Sequence, residues 1–242
     1  MNSILLSIII PIYNEEKTII PLLKKVNHQK ISKEIIVVND GSSDRTSELL
    51  KMNSDYYDKY ISLENNYGKG YAIKKGIEVA QGALTLIQDG DLEYNPNDYE
   101  KLINKIRGDC KIVYGSRTLK GGNFTTPGGL RPIFSKLANF LLTTLSNTLN
   151  GQKLTDAHTC YKLFSTEILK KIDLKEKGFA FCPEVTAKLS KLGLKIEEVP
   201  IDYFGRSYGE GKKIRVRHAF EAIFTLFIYN YPYKRFKSWL RG

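Results

Sequence analysis

The sequence predicts an α/β fold built on a mostly parallel sheet flanked by helices. Short, continuously apolar runs at residues 7–12, 34–38 and 84–87 alternate with amphipathic stretches of helical length. That is the pattern of strands buried on both faces and joined by right-handed crossovers. Each run stops abruptly in polar residues: Asn14-Glu15, Asn39-Asp40-Gly41-Ser42-Ser43-Asp44 and Asp89-Gly90-Asp91. Strand C-termini share one rim of a parallel sheet, so these endings should gather where open α/β sheets bind ligands.

Taken in order, residues 7–12 are a first strand stopped near Pro11, after which Asn14 or Glu15 can open a helix to about residue 28. Residues 34–38 form the second strand, and Asp44 suits the N-cap of a helix to about residue 52. A weaker strand at 60–63 leads through Asn65-Asn66-Tyr67-Gly68-Lys69-Gly70 into a helix ending near residue 80. The fourth strand delivers Asp89, Pro96 opens the next helix, and residues 111–114 are the fifth strand. Beyond Ser116 the pattern changes. Residues 120–130, rich in Gly, Thr and Pro, read as a mobile loop or lid. Helices follow at 133–149 and 183–192, strands at 160–164 and 195–200, a glycine-punctuated basic loop at 204–213, and a helix from 214 toward 230. No repeat or linker divides the chain. It reads as one domain, 1–242, with a half of about 1–115, a second of about 116–213 and a C-terminal segment of about 214–242.

At 242 residues, with 42% hydrophobic content and both charge signs interspersed, the chain is long enough for one large α/β core and is not expected to be disordered. Its net charge of +11 points to an anionic partner: nucleic acid, a nucleotide-linked substrate or an anionic membrane surface. No DNA- or RNA-binding motif accompanies the charge, so nucleic acid is not expected. Cys110, Cys160 and Cys182 lack metal-ligand spacing and should pack as small apolar side chains in a reducing compartment. The apolar N-terminus has no basic n-region or cleavage site. The late apolar run at 222–229 is far short of the ~20 residues that span a bilayer. A cytoplasmic protein without a membrane-spanning anchor is expected.

Asp-Gly-Asp is a common turn sequence. At the end of a buried strand, however, Asp89 and Asp91 flanking Gly90 also suit a hard divalent cation that takes its other ligands from a substrate diphosphate. The convergence of three polar strand ends at one rim favours the second reading. No Gly-x-Gly-x-x-Gly follows the first strand, which disfavours a dinucleotide-dependent oxidoreductase.

Pro11-Ile12-Tyr13-Asn14-Glu15, Val37-Val38-Asn39-Asp40-Gly41-Ser42-Ser43-Asp44, Gly68-Lys69-Gly70, Asp89-Gly90-Asp91 and Tyr114-Gly115-Ser116-Arg117 together resemble the family 2 glycosyltransferases of the GT-A fold. Leu154-Thr155-Asp156, Cys160-Tyr161-Lys162-Leu163-Phe164, Glu184, Glu198-Val199-Pro200, Arg206 and Gly209-Glu210-Gly211-Lys212 make the polyprenyl-phosphate group, similar to dolichol-phosphate mannose synthase, the nearest match within it. The resemblance covers roughly residues 4–215. It implies that Pro11, Tyr13 and Glu15 line a nucleotide pocket and that Asp40 contacts base or ribose, although Asp40 could instead be an N-cap. Asn39 is expected in the same nucleotide-sugar pocket, although the family usually has aspartate there, so a role that depends on charge is not carried over. Lys69, between glycines at a helix start, would face an anion or remain a solvated lysine. Asp91, with Asp89 beside it, is the expected ligand of Mg2+ or Mn2+, and Arg206 and Lys212 would close over the diphosphate.

The same resemblance places Arg117, Arg131 and Ser135 on an acceptor phosphate. A phosphomonoester, with its second pKa near ~6, is already largely ionised at neutral pH and needs positioning more than a general base. Asp156 stands where related enzymes carry a catalytic carboxylate, a candidate base if the acceptor is a hydroxyl. His28, His158 and His218 are isolated and need no special role. The expected activity is inverting transfer of a sugar from a UDP- or GDP-linked donor to a polyprenyl phosphate. The alternatives are transfer to a sugar hydroxyl of a glycan or small acceptor, or a non-catalytic nucleotide-sugar binder. Phe220, Ile223, Phe224, Phe227, Ile228, Tyr231, Tyr233, Phe236 and Trp239, mixed with Lys234, Arg235 and Lys237, suit an interfacial segment or an ordinary core helix. The expected location is therefore peripheral, at the inner face of the membrane, with room for an integral-membrane partner.

Overall fold

The computed structural model describes residues 5–125, 130–206 and 216–231, with side chains described from 136 and from 217 in the last two stretches. Its centre is a seven-stranded sheet in the order β3-β2-β1-β4-β7-β5-β8. The strands are β1 (Leu6–Ile12), β2 (Lys33–Asn39), β3 (Lys59–Ser62), β4 (Leu84–Ile87), β5 (Ile112–Ser116), β7 (Lys162–Ser165) and β8 (Glu197–Pro200). All pairings are parallel except those of β7, which runs antiparallel to both β4 and β5.

Seven consecutive buried residues make β1, and six of seven make β2. Both faces are covered because helices follow each strand. In α1 (Ile19–Asn27), Ile19, Leu22, Leu23 and Val26 are buried at helical spacing. The remaining helices are α2 (Thr46–Met52), α3 (Lys69–Val79), α4 (Tyr99–Lys105), α5 (Leu130–Asn150), α6 (Thr166–Lys171), α7 (Phe181–Lys191) and α8 (Val216–Asn230). α8 packs on α5 and α7.

The chain runs outward from β1 to β2 and β3, then returns to place β4 on the other side of β1. The crevice at this reversal opens beyond the C-terminal ends of β1 and β4, the usual ligand position of such sheets. Because β7 is antiparallel, its N-terminal end lies at the same rim: Lys162 pairs with Ile87. The loop holding Asp156, His158 and Cys160 is thereby brought to the crevice.

Several expected boundaries move for local reasons. α1 begins at Ile19, not at Asn14 or Glu15, because Asn14 has a left-handed backbone (φ 51°) and is held by the turn after β2. Its N–H donates to Ser42 Oγ at 3.0 Å and its Oδ1 accepts from the Ser43 N–H at 2.8 Å. Pro96 opens a short 3-10 turn, Pro96–Asp98, before α4. Part of the stretch expected to be a lid is instead strand β6 (Phe124–Thr125), paired with β9 (Tyr203–Phe204). Helix α6 was not foreseen. Residues 126–129, most of the basic loop at 204–213, and Tyr233, Phe236 and Trp239 lie outside the described residues.

Candidate active site

A cavity of about 770 Å³ opens at the reversal point. Its walls include Pro11 at the end of β1, Tyr13 and Glu15 just after it, Asp40 after β2, Lys69 at the start of α3, Asp89 to Asp91 after β4 and Arg117 after β5, with Arg206 after β9. Most of the expected site is thus brought together from six separate segments.

At one end, Asp40 is buried, and its two carboxylate oxygens accept the Tyr67 and Gly68 N–H groups, each at 2.8 Å. These bonds fix the turn that opens α3, where Gly68 takes φ 103°. Gly70 is required by close approach, since a Cβ there would lie 2.3 Å from the Glu176 carbonyl oxygen. Asp44 is not the N-cap expected of it: α2 is capped at Arg45, and Asp44, one residue earlier, accepts the Thr46 N–H at 3.0 Å in the turn that leads into the helix. Asn39 departs from its expected binding role. It is buried behind the wall, donating to Ser47 Oγ and Tyr60 and accepting from Ser42. A residue satisfied on both sides of its amide holds the turn and does not face a ligand.

In the middle stand four carboxylates and two cations. Lys69 is ion-paired with Asp89 and lies 3.0 Å from Cys160 Sγ. Burial opposes its charge, but the Asp89 carboxylate and Cys160 raise its pKa well above the ordinary lysine value. The Arg206 guanidinium donates to Asp91 at 2.8 Å and to Glu15 at 3.2 Å, and its backbone N–H donates to Glu93 at 2.8 Å. Tyr203 donates to the other Glu93 oxygen at 2.7 Å. Burial, then the negative charges of Asp89 and Glu93, push Asp91 up to about 7 against the pull of Arg206 and Lys69. Leu92 follows Asp91 with φ 63°, a left-handed conformation unusual for leucine, and the turn lets Asp91 accept the Glu93 N–H at 3.1 Å.

The oxygen-only donor set fits a hard cation. Among the described residues no three His, Cys, Asp or Glu side chains converge as a ready-made cage. The arrangement therefore suits an ion that takes one or two carboxylates and completes its shell with water and phosphate oxygens.

At the other end, Arg117 makes a bidentate pair with Asp156, at 2.6 Å from Nε and 2.8 Å from Nη2, and its guanidinium lies over the Tyr203 ring. Burial alone would raise the Asp156 pKa, but Arg117 and the amide of Asn139 hold it below the usual carboxylate value. Glu198 in turn accepts the Asp156 and Thr155 N–H groups. Asp156 is thus a structural anion that orients Arg117, and a weak proton acceptor. Arg131 and Ser135 fall in the first turns of α5, but their side chains, like all of Lys212, lie outside the described residues. The sequence missed Glu93, Tyr94, His158, Cys160, Phe179, Tyr203, Arg217 and His218, all of which line the cavity. The signal existed only for Glu93, two residues beyond Asp91. Tyr94 follows it on the same loop after β4, and the others reach the wall from the loop before β7, from β9, from α8 and from the loop before α7, which no local pattern connects to the first five strands.

Comparison with known proteins accords with this geometry. The chain is 29% identical over 88% of its length to dodecaprenyl-phosphate galacturonate synthase of Rhizobium johnstonii, of which it spans 62%. It is 32% identical over 83% of its length to a dolichyl-phosphate beta-glucosyltransferase of Trichomonas vaginalis, of which it spans 66%. The chain therefore spans somewhat under two thirds of each of these relatives. Its fold matches glucosyl-3-phosphoglycerate synthase of Mycobacterium tuberculosis, with TM-score 0.70 and 18% identity over 93% of this chain and 80% of the other. Structures of that enzyme hold UDP with Mg2+ or UDP-glucose with Mn2+. The likeness establishes the GT-A fold. The family model described as glycosyl transferase family 2 matches residues 7–173, more than half of the sequence, and the chain belongs to that family of glycosyltransferases.

Proposed function

We propose that the protein transfers a sugar from a nucleotide diphosphate to a polyprenyl phosphate, with a divalent metal and with inversion at the transferred carbon. The observation that carries this reading is the Arg117–Asp156 pair. At the end of the cavity away from Asp40, the buried carboxylate is locked to an arginine with its pKa lowered, which disfavours a base for deprotonating a hydroxyl. An ionised phosphate needs no such base. Arg117 spends two of its five N–H donors on Asp156, so the others remain for a phosphate oxygen. The names of the two relatives, one dodecaprenyl-phosphate and one dolichyl-phosphate, agree with that acceptor.

The other residues have roles consistent with this chemistry. Tyr13 and the Asp40 side of the wall would receive the nucleotide, and Lys69 and Arg206 would turn part of their charge from carboxylates to the diphosphate. Mg2+ or Mn2+ held by Asp91, with Asp89 beside it, would supply charge neutralisation for the departing nucleotide. Helices α5 and α8 support a membrane contact. Leu137, Phe140 and Leu141 on α5, and Phe220 and Phe224 on α8, are more than half exposed. Their spacings of three and four residues place each set on one helical face. Among the described residues no helix is long and apolar enough to cross a membrane.

The test is Arg117→Ala assayed for both substrates. The KM for a short polyprenyl phosphate should rise at least tenfold while affinity for the nucleotide sugar changes less than threefold. Equal loss of both would remove the acceptor-phosphate assignment. Transfer to a sugar hydroxyl, and none to phosphate, would favour the hydroxyl-acceptor reading instead.

A further inference from the structure

His158 has a feature that its isolation in the sequence conceals. It lines the cavity, yet its Nε2 is buried and has no hydrogen-bond partner among the described residues. The Leu142 backbone in α5 raises the ring's pKa, as a carbonyl facing Nδ1–H does. That assigns the ring proton to Nδ1 and the lone pair to Nε2. Burial and the nearby Lys162 lower the ring's pKa to about 4, so the imidazole stays neutral at physiological pH and accepts without donating. Buried acceptors of this kind are rarely left unpaired in folded proteins.

The chemistry of the reactants decides what could pair with it. An ionised acceptor phosphate offers only acceptor oxygens, and a polyprenyl chain offers no donor at all. Base and ribose donors belong to the Asp40 end of the cavity. The transferred sugar carries several hydroxyl donors and is attached beside the diphosphate. His158 sits two residues before Cys160, whose sulfur is 3.0 Å from Lys69 Nζ, and Lys69 is paired with Asp89. The loop thus runs from the diphosphate end toward Arg117, the interval that the sugar has to occupy. We propose that His158 Nε2 accepts a hydrogen bond from a hydroxyl of the transferred sugar and so contributes to selecting the donor. This rests on the nucleotide-sugar reading of the cavity.

The test compares His158→Phe and His158→Gln with the unmodified chain. Phenylalanine keeps the ring volume and removes the acceptor, whereas the glutamine amide oxygen can reach the position of Nε2. Binding of UDP-glucose against UDP, and of GDP-mannose against GDP, is measured by calorimetry with Mn2+ present, after circular dichroism has verified folding. His158→Phe should weaken binding of the sugar-carrying nucleotide about fivefold to tenfold and leave the bare nucleotide within twofold. His158→Gln should recover most of the loss. Equal weakening of both nucleotides, or no change in either, would overturn the assignment. So would a loss confined to the KM of the acceptor, which would place the acceptor against this nitrogen. Failure of the unmodified chain to bind any of the four ligands would instead contradict the nucleotide-sugar reading itself. If His158→Phe does not fold, the His158→Gln and His158→Leu pair carries the same comparison.

Discussion

At the scale of single residues, the site depends on compensating charges held out of water. Asp156 is fully buried and Arg117 is nearly so, with side-chain exposures of 0% and 16%. Removing one partner of such a pair leaves an uncompensated buried charge. Asp156→Asn should therefore destabilise the fold by about 3 kcal/mol in urea denaturation, within the range for broken buried pairs; a change below ~1 kcal/mol would mean that water reaches the pair. His158 gives a prediction in pH. Its ring titrates near 4 when folded and near the ordinary 6.5 when unfolded, facing Lys162, Asp156 and Arg117. Between those values the unfolded chain binds more protons, so stability falls as pH falls. Lowering the pH from 6.5 to 5 should remove about 1.5 kcal/mol, or about 4 °C of Tm, that His158→Gln does not lose. Parallel Tm profiles for the two proteins would place the ring in water. Asp91 and Arg117 were legible because they stand next to strand ends. His158 was not, because an orphaned nitrogen is a property of packing and leaves no pattern in the chain.

At the scale of elements, the legible parts were those with their own periodicity. β1, β2, β4 and α3 are close to their expected spans, and α1 ends where expected, because each combines an apolar run or stripe with a local stop. The small sheet of β6 and β9 was missed because two-residue strands have no period to detect. It matters nonetheless: Phe204 N–H bonds the Glu93 carbonyl at 2.9 Å and Phe124 stacks on Tyr203, which positions Arg206 two residues later. The family model ends at residue 173, so β8, β9 and α8 lie beyond the segment it matches. The turn at α3 is similarly tertiary. Gly70 lies against the Glu176 carbonyl, and the loop there is tied to Glu184 through the Lys175 and Glu176 N–H groups at 2.7 and 2.9 Å. Gly70→Ala keeps a good helix former yet should lower Tm by at least 5 °C and weaken nucleotide binding through displacement of Lys69. A rise in Tm, the usual effect of Gly→Ala in an unobstructed helix, would show that the loop can move aside.

At the scale of the whole molecule, the sheet separates two tasks. The β1–β2–β3 side carries Asp40 and the turn before α3, and the β7–β5–β8 side carries Asp156, Arg117 and Glu198, with the acidic strand end of β4 between them. The α5 and α8 helices beyond the second side present the exposed apolar residues. If that face meets a bilayer, Phe140→Ser with Phe224→Ser should reduce sedimentation with anionic vesicles at least fivefold without changing nucleotide affinity. Unchanged sedimentation would return these helices to a packing role. The sequence anticipated apolar residues in the last helix, but the partnership of α5 with α8 required the fold.

The most direct measurement of the central claim is transfer of label from UDP- and GDP-sugars to a short polyprenyl phosphate, with Mg2+ or Mn2+ and with chelator, for the unmodified chain and for Asp91→Ala. The account predicts label in the organic phase that requires both the metal and Asp91. Label that never leaves the aqueous phase, while nucleotide is released to a hydroxyl acceptor, would contradict it.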